Sequence, residues 1–406
     1  MSALGTPLTL ASGATLPNRI AKVAMTEGLG DRHNQPTARH AALFRAWAEG
    51  GAGLQITGNM MVDRRYLERP ENIVLDAHTD VDALRTLADA AQGSGAPALV
   101  QLSHSGRQTN RFVNSKPVAP SEGPPVKIMG FFARPRALEV EEIEAIIAAF
   151  GVAAGLVEQA GFAGVQVHAA HGYLLSQFLS PRTNTRTDAY GGAIEGRARA
   201  LLACVRAVKE ATSEGFTVAV KLNSSDFQRG GLTEEDSLRV VELLAEEGIH
   251  LLEVSGGNYE SPALFGEGEQ AEKLRSREAY FRDYAAKARE RIDAALLLTG
   301  GIRSRATMDE ILASGDADVI GLARPFCMHP DVAQQLLQAP DSRFDTPYPS
   351  VIVPSLRAAA EAGWYGRQLE RIADGLAPNP KAPVYPLTAR YITQQVVRGL
   401  TRPRIG

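Results

Sequence analysis

A single (β/α)8 TIM barrel of the α/β class is the fold this sequence predicts, and three observations carry the prediction. Short apolar runs alternate with longer helical patterns from one end of the chain to the other. The runs hold Val, Ile and Leu at successive positions, as parallel strands buried on both faces do. Eight such runs can be counted, and eight strands joined by crossover helices suffice to close a barrel. An open doubly wound sheet is the alternative that the same alternation allows.

The elements follow in order. Strand one is expected at 19–25 with its helix at 37–50, and strand two at 53–57 with its helix at 80–93. Strand three, 98–103, precedes an irregular stretch and then a helix at 140–160. Strand four covers 164–168, with a helix at 195–213. Strand five covers 217–223, with a helix at 233–247. Strand six covers 251–255, with a helix at 277–292. Strand seven at 295–299, a helix at 305–314 and strand eight at 318–323 complete the repeat. Boundary residues agree with these limits. Thr233 stands before Glu234, Glu235 and Asp236, where an N-cap and an acidic first turn belong. Gly161, Gly215 and Gly248 stop helices just before strands.

Two regions depart from the repeat. Residues 105–139 are broken by Pro117, Pro120, Pro124, Pro125 and Pro135, and are expected to cap the barrel mouth. Residues 336–406 begin Pro-rich, hold one amphipathic stretch at 353–373, and end in a basic tail with Arg398, Arg402 and Arg404. They are expected to pack on the barrel or on a neighbouring subunit, so a homo-oligomer is one expectation. The domain division is therefore 1–335 for the barrel, insertion included, and 336–406 for the extension.

Composition narrows the function. The chain has 406 residues, 44% apolar and 22% charged, with a formal net charge of -3, which is ordinary for a globular protein. No run of Lys and Arg appears, so neither nucleic acid nor an anionic membrane is an expected partner. No apolar run reaches the roughly 20 residues of a membrane span, and no secretory signal is visible at the N-terminus. Two cysteines, Cys204 and Cys327, cannot build a disulfide framework, a zinc site or an iron–sulfur cluster. A reducing, cytoplasmic setting is expected.

In a barrel, chemistry gathers at the C-terminal ends of the strands. Strand seven ends in Thr299-Gly300-Gly301 and strand eight in Gly321-Leu322-Ala323-Arg324. Paired glycines let backbone N–H groups approach a phosphate, and Arg324 could add a bidentate contact. A tight turn beside a surface arginine is the plainer account. Strand four ends in His168-Ala169-Ala170-His171-Gly172-Tyr173. Two imidazoles can donate to a substrate oxygen, and a phenol can deliver a proton. Zinc and a purely structural histidine pair are the rivals, with no third ligand nearby in sequence to support zinc. Lys221 interrupts the apolar fifth strand. An inward lysine requires an anionic partner, which could be a ligand or an internal carboxylate. Gln101 and Asn59, at the ends of strands three and two, carry amides suited to the edge of a heterocycle. Gly266-Glu267-Gly268-Glu269-Gln270-Ala271 fits a dinucleotide fingerprint only as a string. No clear strand precedes it, and its glutamates would face the pyrophosphate.

Read together, these segments resemble the old yellow enzyme family of FMN-dependent oxidoreductases. The matching pieces are Asn18-Arg19-Ile20, Ala24-Met25-Thr26, Gly53-Leu54, Thr57-Gly58, Gln101 to Arg107, and His168 to Tyr173. Phe178-Leu179-Ser180-Pro181, Asn184 to Asp188, Tyr190-Gly191-Gly192, Lys221, Thr299-Gly300-Gly301 and Gly321 to Arg324 complete the set. The resemblance implies FMN as cofactor, NADH or NADPH as reductant, and an α,β-unsaturated carbonyl compound, an activated alkene, as substrate. It implies that Val23, Ala24, Met25 and Thr26 line one side of the flavin ring, and that Asn59, Gln101 and Lys221 contact its pyrimidine half. Gly300, Gly301, Ala323 and Arg324 would hold the phosphate. His168 and His171 would bind the carbonyl oxygen, Tyr173 would donate the proton, and Thr26 and Gly28 would face the substrate. The sequence departs from the pattern at Ala24, where many members have Pro, at Thr26, where one branch has Cys, and at Gly28, where that branch has Tyr. Another FMN-dependent reaction, on an amine or an enoyl thioester, and a non-flavin phosphosugar lyase or aldolase using Lys221 are the alternatives.

Overall fold

A computed structural model describes residues 3–257 and 278–403 of the chain. The glycine- and glutamate-rich string at 266–271 and Arg404 lie outside these described residues.

Eight parallel strands close on themselves. They are β1 (Ile20–Lys22), β2 (Leu54–Met61), β3 (Ala98–Ser103), β4 (Gly164–Ala169), β5 (Thr217–Asn223), β6 (Leu251–Ser255), β7 (Ala295–Leu298) and β8 (Val319–Leu322). Each pairs with the next, and β8 returns to β1 through Gly321 opposite Ala21. The open doubly wound alternative is thereby excluded. The crossover helices are α1 (Ala38–Glu49), α2 (Val81–Gln92), α3 (Val140–Gln159), α4 (Ile194–Glu210), α5 (Glu234–Glu246), α6 (Arg282–Arg289) and α7 (Arg305–Ser314). The Thr233 hydroxyl accepts from the Asp236 backbone N–H, the cap expected of α5. α6 is shorter than the expected 277–292.

Alternation along the strands sorts side chains to two sides of the wall. Ala21, Ile56, Leu99, Ala219, Leu251, Leu297 and Val319 form an inner apolar layer. A two-stranded antiparallel hairpin, Leu8–Thr9 with Thr15–Leu16, plugs its lower end with Leu10 and Leu16. Above this layer, β3, β4, β5 and β6 carry Gln101, Gln166, Lys221 and Glu253, all buried. The inside of the barrel is thus apolar below and polar above.

The irregular regions are ordered around this frame. Inside the insertion, Val118–Ala119 pairs with Arg136–Ala137, and Asn110 bridges Phe132. After β8 come a short helix Arg324–Met328, then α8 (Val332–Gln338), α9 (Arg357–Ala373) and α10 (Val384–Thr401). α9 begins later than the expected amphipathic stretch because Pro354 opens a 3-10 turn ahead of it. The extension lies on the barrel. Arg39 of α1 holds Asp374 at the end of α9, with Nε–Oδ1 at 2.8 Å. No described helix is long and apolar enough to cross a membrane.

Candidate active site

The polar layer is one connected chain. Gln101 donates to Gln166 at 2.7 Å, Gln166 donates to Glu253 at 2.8 Å, and Lys221 pairs with the same carboxylate at 2.8 Å. Strand register makes this possible, since Gln101 stands opposite Gln166 and Lys221 opposite Glu253. The carboxylate expected beside Lys221 is therefore internal. Lys221 nevertheless borders empty space, and it lines two cavities above the layer. Glu253 interrupts its apolar strand just as Lys221 does, so it was visible in the sequence.

One cavity is lined by Ala24, Met25, Thr26, Asn59, Gln101, His168, His171, Tyr173 and Lys221, with Glu68 and Arg69 at its edge. It brings together most of the residues expected around a flavin ring and its substrate. Gly28 is not among them; it lines a neighbouring pocket with Glu27 and Glu71. Position 28 therefore stands one wall away from the substrate side. Glu68 was not anticipated, because it lies in a loop outside the strands. It accepts from Asn59 Nδ2 at 2.5 Å and from the Thr26 hydroxyl at 3.3 Å.

His168 ends β4, and its neighbours turn sharply away from the strand. His171 adopts φ of 60° and Gly172 φ of 77°, which throws both imidazoles and Tyr173 to one side. The ring centroids of His168 and His171 are 5.3 Å apart, and those of His168 and Tyr173 are 4.9 Å apart. His171 Nε2 shares a hydrogen bond with Ser255 Oγ at 2.7 Å, and its backbone N–H donates to Asn223 at 3.2 Å. Burial holds both imidazoles well below the usual histidine range, with further repulsion from Lys221 and, for His168, from His171. Both are neutral near pH 7 and each offers one N–H. No group of three or more His, Cys, Asp or Glu among the described residues is placed to hold a metal ion.

The second cavity, of about 460 Å³, lies between β6, β7 and β8. Val23, Ala24, Lys221, Gly300, Gly301, Ala323 and Arg324 line it. Gly300 has φ of 115° and Gly301 φ of 72°, values that favour glycine. A Cβ on Gly301 would overlap the Tyr280 ring. Thr346 and Tyr348 of the extension complete this wall. The Arg324 guanidinium lies 6.0 Å from the Tyr348 ring and 3.4 Å from Glu361 of α9. No signal in the sequence marks Thr346 and Tyr348, because they belong to an irregular segment far from β8.

These surroundings fit FMN. A glycine turn and an arginine meet a phosphate, and a cation and two amides meet the polar ring edge. Asn59 Oδ1 and His168 Nδ1 are buried with no hydrogen-bond partner, a costly state that a bound ligand relieves. Burial pushes the thiols of Cys204 and Cys327 upward, Cys327 to about 12. Neither is a thiolate at neutral pH.

Comparison with known proteins follows this geometry. Residues 3–340 match the model of the NADH:flavin oxidoreductase / NADH oxidase family. The NADH-dependent flavin oxidoreductase iliE of Hypocrea jecorina is 37% identical over 347 residues, covering 80% of this chain and 86% of that protein. Its counterpart in a Neonectria species is 36% identical over 362 residues, and there 83% of this chain spans only 47% of the longer relative. Among solved structures, an old yellow enzyme homologue from Zymomonas mobilis has a TM-score of 0.72 at 28% identity, covering 84% of this chain and 94% of that one. A 2-naphthoyl-CoA reductase bound to 2-naphthoyl-CoA has a TM-score of 0.77 at 26% identity, covering 83% of this chain and 52% of that one.

Proposed function

The chain belongs to the NADH:flavin oxidoreductase / NADH oxidase family and is an FMN-dependent NAD(P)H oxidoreductase, and from that premise we propose that it reduces the activated C=C bond of α,β-unsaturated carbonyl compounds. The observation that carries the proposal is the cluster of two neutral histidines and a tyrosine on one wall of the substrate-side cavity. FMN, held by residues that line the two cavities, would supply the hydride chemistry and would be re-reduced by NADH or NADPH.

The protein's own residues supply the rest. Neutral His168 and His171 donate to the carbonyl oxygen and draw electron density away from the β-carbon. A charged pair would bind the carbonyl and a carboxylate alike, so neutrality favours an uncharged acceptor. Tyr173 stands beside His168 and delivers the proton to the α-carbon. Lys221 provides positive charge at the polar ring edge. Glu253 and the two glutamines fix the position of that charge, and Gln101 with Asn59 orients the ring. Gly300, Gly301, Ala323 and Arg324 hold the phosphate, while Val23, Ala24, Met25 and Thr26 close the other side. An enoyl or aryl thioester has the same electronic demand and belongs in the same substrate panel.

The test separates the two half-reactions. FMN-loaded enzyme, reduced anaerobically, is mixed with cyclohexenone, and the flavin absorbance is followed as it returns. The expected outcome is return much faster than in a protein-free mixture. Tyr173→Phe should slow that return about 100-fold while leaving reduction by NADH at its original rate. Equal slowing of both half-reactions would reject the proton-donor role. No acceleration with any enone or thioester would reject the substrate class.

A further inference from the structure

A cleft that the proposed chemistry leaves unused adjoins the site. Glu68 and Arg69 line both the substrate-side cavity and this cleft, so the two spaces share an edge. From that edge the cleft runs between the insertion and the C-terminal extension, with a cavity volume of about 230 Å³. Whole small-molecule sites commonly fall between about 300 and 1,000 Å³, so the cleft has room for part of a ligand.

Its walls are apolar and half-buried. The insertion contributes Ile128, Met129, Phe131 and Phe132, and α9 faces them with small side chains such as Ala358 and Ala362. These apolar side chains border open space, a setting that suits the apolar part of a small molecule. The walls are also built firmly. The Arg111 backbone N–H donates to the Phe131 carbonyl at 2.8 Å. Asn110 donates to Gln395 of α10 at 3.2 Å, tying the insertion to the extension. The polar groups at the margin are engaged with one another: Glu68 pairs with Arg69 at 3.2 Å, and Arg69 lies 5.5 Å from the Tyr391 ring. What the cleft offers a ligand is therefore chiefly apolar area.

We propose that this cleft is a remote substrate subsite, which takes the apolar body of a substrate, an alkyl chain or fused rings, whose activated alkene reaches His168, His171 and Tyr173. The reacting end of the inference rests on the proposed alkene reduction; the binding end does not. The occupant is a small molecule because the cleft meets the substrate-side cavity at the Glu68–Arg69 pair, which borders both.

A non-reacting ligand series tests binding apart from turnover. Dissociation constants of cyclohexanone and its 4-alkyl derivatives, up to octyl, are measured by calorimetry on the FMN-loaded enzyme. Affinity should rise about 3-fold for each methylene that enters the cleft. Constants that ignore chain length would overturn the proposal. Ala362→Trp fills the cleft from α9, and Ile128→Arg charges it from the insertion. Each should collapse the ratio between the octyl and unsubstituted ketones at least 10-fold. Because the two changes sit on separate elements, misfolding of one leaves the other to decide. A ratio that survives in a folded variant of either kind sends the chain elsewhere and sinks the subsite. Cyclohexenone left unreduced by a protein that still shows the chain-length dependence would refute alkene reduction and leave the subsite standing.

Discussion

Among the described residues two lysines are buried in this barrel, and the places they occupy differ in one respect. Lys22 of β1 points outward into the layer between strands and helices. It donates to the Ile56 carbonyl at 2.7 Å, lies 4.4 Å from the Trp47 ring and 4.7 Å from the Phe44 ring, and has Glu27 at 3.8 Å. Burial brings its ammonium down to about 8. Lys221 of β5 points inward, pairs with Glu253 at 2.8 Å, and borders both cavities. Each is paired with a glutamate, and each is nearly or wholly removed from solvent. Lys221 faces the empty space of those cavities, whereas Lys22 is packed against the Trp47 and Phe44 rings. A buried charge by itself is thus a statement about packing; a buried charge beside a void is a statement about a ligand.

The sharpest way to break this contrast is Lys221→Met. We expect reduction of bound FMN by NADH to slow about 100-fold, since a fixed charge at the ring edge is worth several kcal/mol in a closed site. The double variant Lys221→Met/Glu253→Gln should recover melting temperature without recovering the rate. Recovery of the rate as well, seen in stopped-flow traces, would mean that the lysine serves only its carboxylate.

Lys22→Met tests the other side. It strands Glu27, whose carboxyl burial already holds above its usual range. Stability should fall by about 3 kcal/mol in urea unfolding, with FMN content and the rate of flavin reduction unchanged. A loss of flavin from the folded variant would erase the distinction between the two lysines.

The smallest effect concerns the histidines of the same two regions. His40 in α1 is held down to about 3 by burial, and His104 down to about 4 by burial, while His168 and His171 are also depressed. A histidine depressed in the fold contributes stability that is fully present above about pH 6.5, its unfolded value, and is lost as pH falls toward the folded value. Between pH 6 and pH 5 His40 and His104 should each cost about 1 kcal/mol. His40 closes a reciprocal cap with Thr37, whose backbone N–H donates to His40 Nδ1 at 3.1 Å. Glutamine can keep that cap without titrating. His40→Gln should therefore flatten the acid limb of a melting-temperature profile and leave turnover untouched.

The same contrast explains what the sequence disclosed. Strand and helix positions were legible because period and caps are local, and Ala98–Ser103, Thr217–Asn223 and Leu251–Ser255 fall where the apolar runs place them. His168, Tyr173 and Lys221 were legible because barrel strands deliver their ends to one place. Lys22 went unremarked, since which side of the wall a residue faces depends on strand tilt and closure. Glu68, Thr346 and Tyr348 were hidden for a different reason. They sit on loops with no period, and they reach the site only through contacts between segments far apart in the chain. The C-terminal helix α10 was also missed, since its sequence reads as a basic tail until Gln395 and Gly399 find the insertion.

The way Phe112 seats on Gly399 has a consequence in time. A Cβ on Gly399 would approach the Phe112 Cβ to 2.7 Å and its backbone carbonyl carbon to 3.1 Å, so the insertion and α10 meet backbone to backbone. The barrel needs nothing beyond β8 to close, because β8 already pairs with β1. Synthesis runs from N- to C-terminus, so a barrel with its histidines and Lys221 in place can exist on the ribosome before α9 and α10 emerge. These later-made helices would then decide which molecules fit a pocket whose chemistry is already assembled.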